Sequence, residues 1–319
     1  MTHIQSPVLA LDFGGTKLAA AVVDIATGEI RSIVRHLTPS HQGANPSIQK
    51  MFEIGHQVLE DCNFKLPMRV GISFGGPVTL DRRNVLMSNH VPDWEGIPLP
   101  QLAEEEFGCP AWMDNDANLA ALGSWIFDAN RSPDQMVYLQ ISTGIGAGLI
   151  LNRKLYRGSS LAGEIGHVTI IPDGPVCNCG KRGCLESLSA GWALARAGRD
   201  VLKLSTSEDL LYKMAHGKPE NIDAQMLLEA ANEGDMRAYN AVRDAFTALG
   251  IAISTMITLF DPQVFILGGG VTRAEAQMRS IIQPVIQKEL HPLFNNRCQL
   301  LFSKLEGKET ILGAAYLED

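Results

Sequence analysis

The chain has 319 residues, enough for two domains with substantial cores, and its 45% hydrophobic and 19% charged content is ordinary for a soluble enzyme. A net charge of −8, with basic residues scattered along the chain, argues against nucleic acid as the main partner. No apolar run approaches the roughly 18–20 residues that span a bilayer, and the N-terminal stretch lacks the basic region of a secretory signal, so a cytoplasmic protein without a membrane partner is expected.

In chain order, "VLALDFGGTKLAAAVVD" reads as strand, tight glycine turn and strand, and "TGEI" at 27–30 as the next hairpin turn. Helical spacing of Ile48, Met51, Phe52, Ile54 and Val58 predicts a helix over about 47–62. "MRVGISFGG" is a buried strand ending in glycines, "AWMDND" a short strand, "ANLAALGSWIF" a helix, and "QMVYLQISTGIGAGLILN" again strand, glycine turn and strand. The later part is more helical: "AGWALARAGRDVLKL", then at least two helices over 221–262, the last long and apolar and ended by Pro262. "QVFILGGG" is a buried strand running into glycines, "GAAYL" a final short helix, and 203–222 a polar, loop-like stretch.

Two strand–glycine–strand units thus recur about 130 residues apart, as if two similar α/β domains had been joined, with the division near 113–125. Each hairpin carries glycines and a hydroxyl: Gly14, Gly15, Thr16 and Lys17 in one, Thr143 and Gly144 in the other. Glycine lets backbone N–H groups approach a phosphate; the bland alternative is a pair of ordinary turns. Neither matches the P-loop spacing. A third turn, Gly268, Gly269 and Gly270, follows a buried strand, where nucleotides commonly lie in α/β proteins.

Asp114 and Asp116 stand just before a helix. Asp is a favoured helix cap; it is also a base that a helix N-terminus keeps ionised, able to accept a proton from an attacking hydroxyl as phosphoryl transfer requires.

Of six cysteines, Cys62, Cys109 and Cys298 are isolated. The other three follow His167 as Cys177-x-Cys179-x4-Cys184. One imidazole and three thiolates complete a tetrahedral zinc site, closed and therefore structural. Unrelated buried thiols and a redox disulfide are the alternatives. Glu164 and Glu186 flank the cluster and are free to bind hydroxyls or to face solvent.

Together these residues resemble the ROK family of bacterial sugar kinases and repressors. The resemblance runs along the whole chain in order: "LALDFGGTK", "NDANLAALG", "STGIGAGLI", "GEIGH" with "CNCGKRGCLES", and "ILGGGV". It implies a two-domain actin-like ATPase fold, hexokinase-like (ribonuclease H-like), with an interdomain cleft. The expected domains are 1–115, joined by a C-terminal helix at about 305–319, and 116–304. It also implies ATP-dependent phosphorylation of a hexose, usually at the 6-hydroxyl. Carried over by position, Asp116 is the catalytic base. Asn89, Asn115, Glu164, His167, Glu186 and Gly76 contact the sugar. Gly14, Gly15, Thr16, Lys17, Thr143 and Gly144 face the ATP phosphates, and Gly268, Gly269 and Gly270 the adenosine. His167, Cys177, Cys179 and Cys184 hold structural Zn2+, and Mg2+ travels with ATP.

Many family members read P-G-P-V where this chain has Gly75-Gly76-Pro77-Val78, which loosens any assignment to glucose. The first strand begins at about Pro7, leaving no room for the helix-turn-helix of the family's repressors. Glucose is the expected substrate, with N-acetylmannosamine, N-acetylglucosamine, fructose, mannose and allose as alternatives. A catalytically silent sugar sensor is the reading from another class. A homodimer or homotetramer is the expected assembly.

Overall fold

The computed structural model describes residues 7–88 and 91–318. In chain order its elements are β1 (Pro7–Phe13), β2 (Lys17–Asp24), β3 (Glu29–Leu37), α1 (Ala44–Asp61), β4 (Arg69–Phe74), α2 (Leu99–Phe107), β5 (Ala111–Asn115), α3 (Asp116–Phe127), β6 (Gln135–Ile141), β7 (Ile145–Leu151) and β8 (Lys154–Tyr156). There follow α4 (Leu185–Ser189), α5 (Gly191–Lys203), α6 (Leu210–Met214), α7 (Ala224–Asn232), α8 (Met236–Phe260), β9 (Val264–Gly268), α9 (Glu275–Glu289), β10 (Gln299–Phe302) and α10 (Glu309–Ala315).

The first sheet has the order β3-β2-β1-β4-β5, antiparallel at β1/β2 and β2/β3 and parallel at β1/β4 and β4/β5. Side chains alternate across a strand, and β1 shows the consequence. Leu9, Leu11 and Phe13 enter a core with Met51, Ile54 and Val58 of α1 and Phe107 of α2; Val8 and Ala10 enter a second core with Leu119 of α3 and Ile311 and Leu312 of α10. The sheet is covered on both faces, so its inner strands β2, β1 and β4 are apolar almost throughout, while the edge strand β3 is more polar and more exposed. α3 and α10 meet unusually closely: a Cβ on Gly313 would lie 1.8 Å from the carbonyl oxygen of Leu119.

The second sheet repeats the plan with the order β10-β9-β6-β7-β8, parallel at β6/β9 and β9/β10 and antiparallel at β7/β8. α8 packs among α4, α5, α7 and α9. It is long and apolar enough to cross a membrane by length and composition, against the expectation that no run would qualify, yet 61% of its most apolar window is buried within the protein, as in a core helix. Asp261, left-handed at φ 41°, caps it just before Pro262.

The chain divides into two compact units: Met1–Ser132 with Gly148–Gly163 and Leu305–Asp319, and Pro133–Ala147 with Glu164–Lys304. The first crossing falls after Ser132 instead of at residue 115. The reason is the close α3–α10 packing, which binds the helix beginning at Asp116 to the first unit. The stretch 203–222, expected as loop, contains α6. α2 and α9 were not foreseen from the sequence, although their buried residues, Leu99, Ala103 and Phe107 in one and Met278, Ile281, Ile282 and Ile286 in the other, fall at helical spacing.

Candidate active site

In the first unit, β1 and β2 are joined by the Gly14-Gly15 turn, where the Gly14 N–H donates to the Lys17 carbonyl at 3.1 Å and the Thr38 hydroxyl to the Gly14 carbonyl at 2.7 Å. Thr16 and Lys17 are exposed beside it. The Gly75 N–H donates to the Phe13 carbonyl at 2.9 Å. A proline at 75 could not make this bond, so the departure from P-G-P-V ties the two glycine turns together. Asn89 lies outside the described residues; Trp94, five positions on, is buried edge-on against Phe13 and Phe74 at 5.6 and 4.9 Å between ring centroids.

No role was expected for Asp12, two residues before this turn. Burial pushes its carboxyl up to about 6, against the opposing hydrogen bond from Ser73 and the charge of Arg35. The Ser73 hydroxyl donates to Asp12 Oδ1 at 2.6 Å. An acidic residue near the end of an otherwise apolar strand was the available signal.

Asp116 is the first residue of α3 and not its cap. Asn115 is the cap: its Oδ1 accepts from the N–H groups of Ala117 at 2.9 Å and Asn118 at 3.3 Å. Capping therefore does not account for Asp116, whose partly buried carboxylate accepts from the Ala117 N–H at 2.8 Å. The positive end of the helix favours its ionised form. The Asn115 amide donates to the Gly76 carbonyl at 3.1 Å, bringing two of the expected sugar contacts together. Asp114 lies within β5 and is buried.

In the second unit, the segment carrying the cysteines folds back on itself through the bridges Thr169–Cys184 and Val176–Arg182. His167, Cys177, Cys179 and Cys184 offer ligand atoms that all lie within 4.8 Å of one another. Cys177 Sγ is 3.8 Å from His167 Nδ1, and Cys179 Sγ is 3.7 Å from Cys184 Sγ. In a zinc tetrahedron with Zn–S of about 2.3 Å, neighbouring sulfurs stand about 3.8 Å apart, so the four side chains fit that ion. Burial pushes the Cys177 thiol up to about 12, a penalty on the thiolate that a bound cation removes.

The other imidazole nitrogen of His167, Nε2, is 3.9 Å from a Glu164 carboxylate oxygen. Desolvation raises the Glu164 carboxyl; the His167 ring opposes the rise, and Glu186 adds to it. Glu186, in the first turn of α4, accepts from the Ile145 N–H at 3.1 Å. A Cβ on Gly144 would stand 2.8 Å from the same carboxylate oxygen. Glu164, His167 and Glu186 thus converge beside the second glycine turn.

A cavity of about 740 Å³ lies in the second unit. Thr143 and Gly270 line it, with Ser142, Trp192, Gln225 and Arg273 among their neighbours. Gly268 and Gly269 do not line it. A Cβ on Gly268 would strike the Tyr138 hydroxyl, and on Gly269, which holds φ 95°, a Cβ would lie 2.4 Å from the Ile141 carbonyl oxygen. Of the three glycines, one faces the cavity and two are required by packing and backbone. The wall residues from α5, α7 and α9 carry no spacing motif, and only the fold collects them.

The ROK family profile matches residues 8–319. The chain belongs to the ROK family. It is similar to the glucokinase of Thermotoga maritima, 34% identical over 311 residues, covering 97% of this chain and 96% of that one. It is also similar to the xylose repressor of Bacillus subtilis, 27% identical and covering 96% of this chain and 75% of that one. Among solved structures, the crystal structure of a ROK family glucokinase from Streptomyces griseus in complex with glucose and AMPPNP superposes with a TM-score of 0.86 at 32% identity, covering 97% of this chain and 98% of that one. The actin-like ATPase fold expected from the sequence is the fold of this chain.

Proposed function

We propose that this ATP-dependent sugar kinase transfers the γ-phosphoryl group of ATP to the 6-hydroxyl of glucose. The observation that carries the reading is the likeness, over nearly the whole of both chains, to a glucokinase solved with glucose and AMPPNP.

Asp116 accepts the proton of the 6-hydroxyl as that oxygen attacks the γ-phosphorus; the bond to the β–γ bridging oxygen breaks and ADP leaves. Its place at the start of α3 keeps it a carboxylate, which the step requires. Asn115, Gly76, Glu164, Glu186 and the Nε2 side of His167 bind sugar hydroxyls, with Asn89 assigned to the same role on sequence alone. Gly14 to Lys17, with Thr143 and Gly144, receive the phosphates through backbone N–H groups, hydroxyls and the Lys17 ammonium. The adenosine enters the cavity bordered by Gly270 and Thr143. Mg2+ accompanies ATP and offsets phosphate charge.

His167, Cys177, Cys179 and Cys184 would hold Zn2+, leaving it no open position for chemistry. Its part is to fix the loop so that Glu164 and Glu186 meet the sugar in one geometry. The expected location is the cytoplasm and the expected assembly a homodimer or homotetramer, the latter read directly by light scattering on the eluting protein.

An ADP-release assay over glucose, N-acetylmannosamine, N-acetylglucosamine, fructose, mannose and allose tests the substrate. The expected result is the highest kcat/KM with glucose; a higher value for an N-acyl sugar overturns glucose while leaving kinase activity intact. Sugar-sensing without catalysis is the second reading, favoured by the likeness to xylose repressors, and ADP release with none of the six sugars would support it.

A further inference from the structure

Asp114 is two residues before Asp116, and its side chain is 1% exposed. A carboxylate so placed is costly unless every lone pair is answered. Here Oδ1 accepts from the Asn115 N–H at 2.8 Å and from the Asn118 amide at 2.8 Å, and Oδ2 accepts from Nε of Arg157 at 2.6 Å. Helix capping does not require this group, because Asn115 already caps α3.

Arg157 stands just after β8, 43 residues along the chain from its partner. Its own carbonyl accepts from the N–H groups of Ser160, at 3.0 Å, and Ala162, at 3.2 Å, and so shapes the segment that follows. That segment ends at Gly163, with φ 94°, and the next residue is Glu164. A second contact holds the same hairpin to α3: a Cβ on Gly148 of β7 would lie 2.4 Å from Ala121 Cβ and 2.5 Å from the Ala117 carbonyl. The β7–β8 hairpin is therefore pressed onto the helix that Asp116 begins, and the Asp114–Arg157 pair fastens its far end.

We propose that Asp114 and Arg157 are positioning residues for phosphoryl transfer. The pair fixes the start of α3, and with it Asp116, together with the point from which the chain departs toward Glu164. Neither side chain touches sugar or ATP in this role. The inference rests on the assignment of Asp116 as base and Glu164 as sugar ligand. Misplacing a reacting group by about 1 Å costs on the order of a hundredfold in rate, so a loosened pair should act on kcat and on the sugar, and not on ATP.

The test compares Arg157→Ala, Arg157→Lys, Asp114→Asn and Asp116→Asn in the full chain, with kcat, KM for sugar and KM for ATP measured separately. Arg157→Ala is expected to lose about ten- to a hundredfold in kcat and to raise the sugar KM severalfold, with the ATP KM within about twofold. Added guanidinium ion, at concentrations well below denaturing, should restore part of the lost kcat, and Arg157→Lys should fall between parent and alanine. A merely structural role would lower the active fraction, leave both KM values alone and ignore guanidinium; that pattern overturns the proposal. Should Arg157→Ala fail to fold, the near-isosteric Asp114→Asn decides: parent-like kcat and sugar KM overturn the proposal, and the same kcat-and-sugar loss supports it. Near-parent turnover in Asp116→Asn would overturn the base assignment and this inference with it, whereas an inactive Asp116→Asn beside a parent-like Arg157→Ala overturns the inference alone.

Discussion

Replacing Asp12 by Asn should make the protein more stable at neutral pH and less active. The Asp12 carboxyl is raised from 3.8 to about 6, first by burial, against the Ser73 hydrogen bond and the Arg35 charge. The folded chain therefore holds this proton more tightly than the unfolded one. The stability that protonated Asp12 contributes is complete below about pH 4 and is lost as pH rises through about 6. The rise from 3.8 to about 6 corresponds to about 3 kcal/mol, the cost of keeping the group ionised inside the fold at pH 7.5. Asn keeps the size of Asp12 and a carbonyl for the Ser73 hydroxyl, and it has no charge to desolvate. Urea denaturation of parent and Asp12→Asn at a series of pH values isolates the effect, because every other titrating group cancels in the difference. The variant should gain about 1–3 kcal/mol at pH 7.5 and nothing at pH 4. A gain independent of pH, or none at either end, would refute the reasoning. We attribute this cost, carried two residues from the Gly14-Gly15 turn, to function, and on that reading the stabilised variant should turn over at least about tenfold more slowly.

Other outcomes follow from the same geometry. Asp116→Asn should lower kcat by about 10²- to 10⁴-fold while sugar affinity, read by calorimetry, stays within severalfold; near-normal turnover rejects Asp116 as base. Metal analysis of the purified protein should find about one zinc per chain, and Cys184→Ser should lose most of it and raise the sugar KM; a metal-free, fully active parent would remove zinc from the account. Gly313→Ala should cost about 1–3 kcal/mol in urea denaturation, because its Cβ would meet the Leu119 carbonyl at 1.8 Å. An unchanged midpoint would mean that α3 and α10 part freely.

What could be read from the sequence was local. The apolar run of β1, the Gly14-Gly15 turn, the helix after Asp116 and the crowding of His167 with three cysteines are each contained in a short span, where strand periodicity, backbone freedom and ligand spacing act between near neighbours. The repetition of one strand–turn–strand unit was visible for the same reason, and it returned as two sheets of matching order. Tertiary structure decided what depends on residues far apart. Asp12 meets Ser73 across 61 positions and Asp114 meets Arg157 across 43; nothing in either neighbourhood names its partner. Asn115, not an aspartate, caps α3, because the cap is chosen by backbone geometry at the end of β5 and not by residue type alone. Of Gly268, Gly269 and Gly270, sequence could not say which faces a ligand, since a glycine demanded by a neighbouring hydroxyl or a positive φ looks the same as one that clears a cavity. Composition and short-range pattern determine the elements and the reactive groups they carry. Burial, charge pairing and close approach exist only once distant segments pack, and they determine how those groups are held.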